Sequence, residues 1–382
     1  MEGLVPGDFY PFHVVGRRVL AGESIYNLAD VSPFKYTPAF ALAMITIAKL
    51  SKTLAWWIWC VGSVSLFCYS TLRLVGISSF EKLTPRRQFV IAGLAAVSAW
   101  HGIIEHLSYG QADMLLFGLF ALSALALTHS SNPQDEPKNN TQSLKAGFWL
   151  SLCWISKPPS LVLGSYFLIQ RQYRALGWAI VFTLLFLFLP IFYWGPSTYL
   201  SLFADWFAVL RDRQPIEFLT GNLNQGFAAS MARWTDRPES FGTIFKLSIL
   251  AALAITGVIW RKYRSLPRST TFAFSYLLYM CVTPLSWRWI TCAWLPVAFM
   301  VFSELPIKSR ITAGAFLVYA VLTLFLQSLV AKQFGVTEPD WLSGWGLYTV
   351  GTLLLFAFAI WALHRNQKTQ ARRESEQLPL RQ

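Results

Sequence analysis

Asp8 opens a short polar and aromatic segment that continues through Leu20-Ala21-Gly22-Glu23 and Tyr26 and ends at Phe34-Lys35-Tyr36-Thr37-Pro38, against an apolar run. A carboxylate held where a bilayer surface can exclude water could accept a proton from a reacting hydroxyl. Lys157 stands in Ser156-Lys157-Pro158-Pro159, where consecutive prolines disfavour helix. An ammonium at such a break could hold a phosphate as a point charge. Asn224-Gln225-Gly226 adds neutral hydrogen-bond donors on a tight backbone. Further ionisable residues fall in or beside apolar runs: His101, Glu105, His106, Asp113, Arg288 and Glu304. Such groups are costly in lipid and mark functional or pairing positions. Spacing alone leaves second readings open, a helix cap for Asp8 and a snorkelling side chain for Lys157.

Other chemistries find no support. The chain has no glycine-rich nucleotide loop and no Asp-x-Asp pair in its polar loops. Cys60, Cys68, Cys153, Cys281 and Cys292 all lie in apolar runs without ligand spacing, so neither a disulfide framework nor a metal site is expected. No cofactor is expected either. Met1 to Gly7 contains no apolar core of a cleavable signal.

The elements that must position these residues are membrane helices. Apolar residues make up 54% of the 382 and charged residues 13%, and the mean hydropathy is +0.44. Apolar stretches long enough to cross a bilayer recur at Leu54 to Val75, Phe89 to Leu107, Tyr109 to Thr128, Ala175 to Trp194, Phe241 to Trp260, Ile311 to Val330 and Gly344 to Leu363. Period-two alternation, the mark of a membrane β-barrel, is missing. The expected fold is all-α, a polytopic integral membrane protein.

The net charge of +13 lies mainly in short loops. These are Lys82, Arg86 and Arg87; Arg171 and Arg174; Arg261, Lys262, Arg264 and Arg268; Lys308 and Arg310; and the tail Arg365, Lys368, Arg372, Arg373 and Arg381. Basic loops between apolar spans are the positive-inside pattern, so topology rather than nucleic acid accounts for the charge. Counting crossings from a cytoplasmic tail puts 195–240 and the opening segment with Asp8 outside. By this count Lys145 to Arg171 begins and ends inside with room for one ordinary span, so a hairpin with Lys157 at its apex is expected, the alternative being a plain kinked span with one loop miscounted. The segment after Pro38 reads as a short surface or half-embedded helix, and 129–143 as a polar linker. The resulting organisation is an outer segment over 1–36, a membrane domain over 37–364 and a basic tail over 365–382.

In this order the motifs resemble those of bacterial glycosyltransferase family 87. Asp8-Phe9, Leu20-Ala21-Gly22-Glu23 with Tyr26, and Phe34-Lys35-Tyr36-x-Pro38 resemble its opening loop. Tyr109-Gly110-Gln111-x-Asp113 is similar to a Gly-Gln-Val-Asn segment, and Lys157-Pro158-Pro159 before Leu168-Ile169-x-Arg171 to a Lys-Pro hairpin. Asn224-Gln225-Gly226 and Pro284-Leu285-Ser286-Trp287 are similar to Asn-Gln-Ser and Ser-Pro-x-Ser-Trp segments.

The resemblance implies a GT-C bundle of roughly 9–11 membrane segments with short extracytoplasmic helices, in the bacterial inner membrane. It implies transfer of a sugar, a hexose, from a polyprenyl-phosphate donor to a lipid or glycan acceptor with inversion. Asp8 matches the presumed general base. Lys157, Arg288, Asn224, Gln225, Lys35, Tyr36 and Gln111 are the expected substrate and donor-phosphate contacts, and membrane lipids the expected surroundings. Two departures stand out. Arg288-Trp289 follows the Ser-Trp step where relatives often carry histidine, and an arginine there can grip phosphate bidentately. Relatives also carry a transmembrane helix ahead of the aspartate loop, where Met1 to Gly7 stand in this sequence. The competing expectation is a transporter or lipid flippase with Glu105, His106 and Lys157 along a path, which calls for paired broken helices.

Overall fold

The structure, a computed structural model, describes residues 9–27, 30, 33–127, 140–212, 216–222, 224–263, 266–305 and 346–377. Asp8 and the expected span Ile311 to Val330 lie outside the described residues. In chain order the helices are α1 (Phe9–Ala21), α2 (Pro38–Ala48), α3 (Lys52–Gly76), α4 (Pro85–Tyr109), α5 (Asp113–Leu125), α6 (Asn140–Ser156), α7 (Gly164–Ile169) and α8 (Tyr173–Phe188). After them come α9 (Ile191–Trp194), α10 (Pro196–Asp212), α11 (Ile216–Leu219), α12 (Phe227–Trp234), α13 (Phe241–Lys262), α14 (Arg268–Val282), α15 (Trp294–Ser303) and α16 (Leu347–Gln377). Among the described residues an isolated bridge, Asn224 to Trp287, is the β-type pairing and there is no sheet.

Among the described residues, five stretches are long and apolar enough to cross a membrane: Lys52–Gly76, Pro85–Tyr109, Tyr173–Trp194, Pro238–Lys262 and Leu347–Gln367. The all-α membrane architecture is therefore as expected. One boundary differs. The run Tyr109 to Thr128 is not one helix, because Gly110 adopts φ +62° and ends α4, and α5 restarts at Asp113. A left-handed residue cannot continue a helix, and glycine adopts it without strain.

The basic residues gather at one end of the bundle. There Arg87 donates to the Leu305 carbonyl (3.3 Å), Arg171 to Trp260 (3.0 Å), Arg268 to Leu127 (2.6 Å) and Arg365 to Glu304 (3.2 Å). Glu304 belongs to this end, accepting from Ser79 at 2.7 Å. At the opposite end α1, α2 and α10 form a cap. The opening segment, expected as a loop, contains the 13-residue helix α1. Pro11 sits in its first turn, where no amide donor is missed. Gly16 lets the backbone approach α2 closely: a Cβ there would lie 2.6 Å from that of Ala48. Phe12 meets the rings of Tyr36, Phe40 and Trp59 at centroid distances of 5.0, 5.5 and 5.2 Å. Such ring pairs contribute about 0.5–1.5 kcal/mol each beyond area burial.

Two chain reversals shape the centre. Cys153 lies against the Leu116 carbonyl (3.7 Å) and Ser123 donates to Ala146 (2.5 Å), so α6 runs antiparallel to α5. Past the break, Lys157 meets Asp113 and Tyr166 packs on Phe120 (5.9 Å), so the return limb runs parallel to α5. The chain turns back at Lys157, which has extended backbone (φ −140°, ψ 93°) before a 3₁₀ helix over Pro158–Leu163. The hairpin expected from sequence is present.

A second reversal follows α14. Thr283 is extended (φ −70°, ψ 133°) ahead of Pro284, and a 3₁₀ helix over Arg288–Ala293 leads into α15. Helix α16 passes Tyr263, ahead of α14, through His364 and Phe274 of α14 through Phe356, but Trp294 and Phe302 of α15 through Thr352 and Phe358, giving the two limbs opposite directions. Both breaks have one contributor in common, the steric bias of a following proline against helical geometry, and here Lys157 and Thr283 take extended backbone.

Gly102 of α4 seats the second return limb, because a Cβ there would fall 2.5 Å from the Cys292 nitrogen. Gly102→Val should therefore destabilise the protein by about 1–3 kcal/mol, read as a lowered melting temperature in detergent. A melting curve unchanged from wild type would contradict this packing.

Candidate active site

The cap, the two chain reversals and α11 enclose a cavity of about 650 Å³. Its polar wall includes Lys35, Tyr36, Gln111, Ser156, Lys157, Thr283 and Arg288. Its aromatic wall includes Phe12, Phe34, Tyr109, Trp206, Phe207, Phe218, Trp287 and Trp289. Five residues singled out in sequence thus converge: Lys35, Tyr36, Gln111, Lys157 and Arg288. They lie at the end of the bundle away from the basic loops. The charged side chains on the wall, among the described residues, are three cations and no carboxylate.

Each deep cation is backed by a carboxylate that does not itself line the cavity. Lys157 Nζ lies 2.9 Å from Asp113 Oδ1, and the Asp113 side chain is 2% exposed. Arg288 Nη2 lies 2.8 Å from Glu105 Oε1. His101 Nε2 is 3.6 Å from the same oxygen, and its Nδ1 is 3.2 Å from the Tyr348 hydroxyl of α16. Lys157 is therefore one half of an ion pair. The pairing required by burial in an apolar medium is supplied by the α4–α5 turn. Glu105 lies near the end of α4 and Asp113 opens α5, with Gly110 between them. Trp59 Nε1 holds that turn by donating to the Gly110 and Gln111 carbonyls at 3.0 and 3.3 Å.

The rest of the wall is fixed by side chain to backbone bonds. Tyr26 donates to the Tyr36 carbonyl (2.6 Å) and Trp206 Nε1 to that of Lys35 (2.9 Å). Thr37 caps α2 and donates to Ile155 (2.6 Å), tying the opening segment to the Lys157 hairpin. Lys35 Nζ lies 4.4 Å from the Phe218 ring centroid. Trp287 and Trp289 stack at 5.3 Å and 23°, one on each side of Arg288 in sequence, and Tyr109 continues the row at 5.3 Å.

Asn224 and Gln225 do not line the cavity. The Asn224 amide donates to Leu219 and Pro284 (2.6 and 2.8 Å), and its oxygen accepts from the Gly226 and Ser286 nitrogens (3.0 Å each). The Gln225 nitrogen donates to Ser286 (2.6 Å), and its side-chain amide to Asn222 (2.6 Å). Instead of reaching the ligand space, this motif pins the 284–287 turn that delivers Arg288. Arg233 clamps the same region by donating to Thr220, Gly221 and Asn224 at 3.1, 2.9 and 2.8 Å. Burial pushes its guanidinium down to about 10.

Sequence reading missed the second reversal, whose signal was Thr283-Pro284, and the two carboxylate partners. Paired breaks are the geometry a transporter would need, so the fold by itself leaves that reading standing.

Comparison with known proteins decides between them. The sequence profile of glycosyltransferase family 87 matches residues 34–287. This membrane protein is a glycosyltransferase, and the chain belongs to family 87. The matched range takes in Lys35, Tyr36, Gln111, Lys157, Asn224 and Gln225, and leaves Asp8 and Arg288 outside it. No curated protein matches the chain. Among solved structures, ArnT from Cupriavidus metallidurans bound to undecaprenyl phosphate is 14% identical, with a TM-score of 0.37, over 94% of this chain and 74% of that one. The apo state of the same protein gives 12%, 0.36, 95% and 74%.

Asn224→Ala should lower stability by about 2–4 kcal/mol through the lost buried hydrogen bonds, measured as thermal unfolding in detergent. Unchanged unfolding together with lost ligand affinity would instead make Asn224 a direct ligand contact.

Proposed function

We propose that the cavity takes a sugar joined through phosphate to a polyprenyl chain and transfers that sugar to a hydroxyl of a lipid or glycan acceptor. The observation that carries this reading is the cavity wall itself, where three cations stand on a largely aromatic and apolar surface. A phosphodiester with a long hydrocarbon substituent matches both parts. Lys157 offers the phosphate a point charge, and Arg288 offers a planar fork of donors. The aromatic wall suits isoprene units and the apolar faces of a pyranose. Lys35, Tyr36 and Gln111 supply polar contacts around them.

In the reaction, the acceptor hydroxyl attacks the anomeric carbon as the bond from that carbon to the phosphate oxygen breaks. A single in-line displacement inverts the anomeric centre. The hydroxyl proton passes to a general base, and the electron pair of the broken bond leaves on the polyprenyl phosphate. Cations placed where that charge develops lower the barrier. Asp8 is the base in this reading. It immediately precedes Phe9, the first residue of α1, the helix that contributes Pro11 and Phe12 to the cavity wall. With the basic loops in the cytoplasm, the cavity opens on the extracytoplasmic side of a bacterial inner membrane.

Asp8→Asn should reduce sugar transfer from a polyprenyl-phosphate donor by at least about 10²-fold, without loss of expression or membrane insertion. Near-normal transfer by the purified variant would remove the base assignment. Lys157→Ala should weaken donor binding by roughly tenfold or more, whereas unchanged donor affinity would remove its phosphate role.

A further inference from the structure

We infer that Glu105 and Asp113 tune the release of the phosphate product, restraining Arg288 and Lys157 so that the leaving polyprenyl phosphate is not retained. This rests on the donor reading above. Both carboxylates stand one side chain behind the cavity wall, at 2.8 and 2.9 Å from the cations that line it. Glu105 Oε2 is buried with no hydrogen-bond partner among the described residues, while Oε1 faces Arg288 and His101. The carboxylate thus pairs through one oxygen, and it stands directly behind Arg288, close enough for its charge to act on an anion in the cavity.

The sign of the effect follows from the reaction. The donor is a phosphodiester with one negative charge. Once the anomeric bond breaks, the phosphate becomes a monoester that carries up to two. Two unopposed cations would attract the product about twice as strongly as the donor and hold the enzyme in its product complex. A fixed carboxylate behind each cation repels the product more than the donor. It therefore lowers affinity for the very species that must leave.

A purely structural role predicts the reverse. Removing the carboxylate would then leave its cation misplaced, and phosphate binding would weaken. The two roles differ in the direction of the effect, not only in its size.

The test uses the full-length protein in detergent, with Trp206, Trp287 and Trp289 on the cavity wall as the fluorescent reporters. Farnesyl phosphate is the probe, and farnesol is the uncharged control. Wild type should bind farnesyl phosphate in preference to farnesol. Glu105→Gln and Asp113→Asn should each bind farnesyl phosphate about tenfold more tightly, with farnesol affinity unchanged. Glu105→Asp, which keeps the charge, should stay near wild type. In steady-state transfer the two neutral variants should show stronger product inhibition and a lower kcat without a raised donor KM.

Equal or weaker farnesyl phosphate binding by the neutral variants overturns the inference while leaving the donor reading intact. A wild type that does not distinguish farnesyl phosphate from farnesol overturns both. If Glu105→Gln fails to fold, Asp113→Asn measured alone decides the same question.

Discussion

Proline disfavours helical backbone in the residue before it, and the centre of this protein depends on that bias at two places. Lys157 before Pro158 and Thr283 before Pro284 both stop a helix that has just crossed the bundle. In each case the chain turns back through a 3₁₀ helix, and a cation is left at or just beyond the turn. Straight helices through these positions would carry Lys157 and Arg288 past each other into lipid-facing or core positions. The reversals instead present both to one cavity, at the end of the bundle away from the basic loops.

Cations at that depth need partners, and one short turn supplies them. Glu105 lies near the end of α4, Asp113 opens α5, and Gly110 in its left-handed conformation comes between them. The same turn therefore sets the register of both hairpins, one through Lys157 and the other through Arg288. Trp59 holds the turn from α3, and Asn224 holds the 284–287 segment from α12's side. Removing one partner from such a pair leaves an uncompensated charge in an apolar setting, which is far costlier than losing a surface pair. The candidate site is thus built by mutual constraint between elements distant in sequence.

Much of this was legible from residue order. Apolar runs of sufficient length gave the long helices, and Pro158-Pro159 marked the first reversal. Lys35, Tyr36, Gln111, Lys157 and Arg288 were singled out by motif and meet on one wall. What escaped was whatever needs the third dimension. The second reversal carried the same proline signal, but a lone Pro284 between apolar helices is weaker than a Pro-Pro pair. Asp113 and Lys157 are 44 residues apart, and only the antiparallel packing of α5 on α6 brings them within 2.9 Å. Helix α1 hid behind Pro11 and Gly16, residues that usually break helices. Here one occupies the first turn and the other permits close approach of α2. Asn224 carried the right motif for the site but acts on it from behind, which its residue type could not reveal.

At the centre of the proposed chemistry, the two hairpin cations together hold the donor's phosphate. An experimental structure of the full-length protein with a polyprenyl phosphate bound tests that most directly. It should place the phosphate within hydrogen-bond reach of both Lys157 Nζ and the Arg288 guanidinium, with the hydrocarbon along the aromatic wall. A phosphate bound elsewhere, with both cations still paired to Asp113 and Glu105, would contradict it.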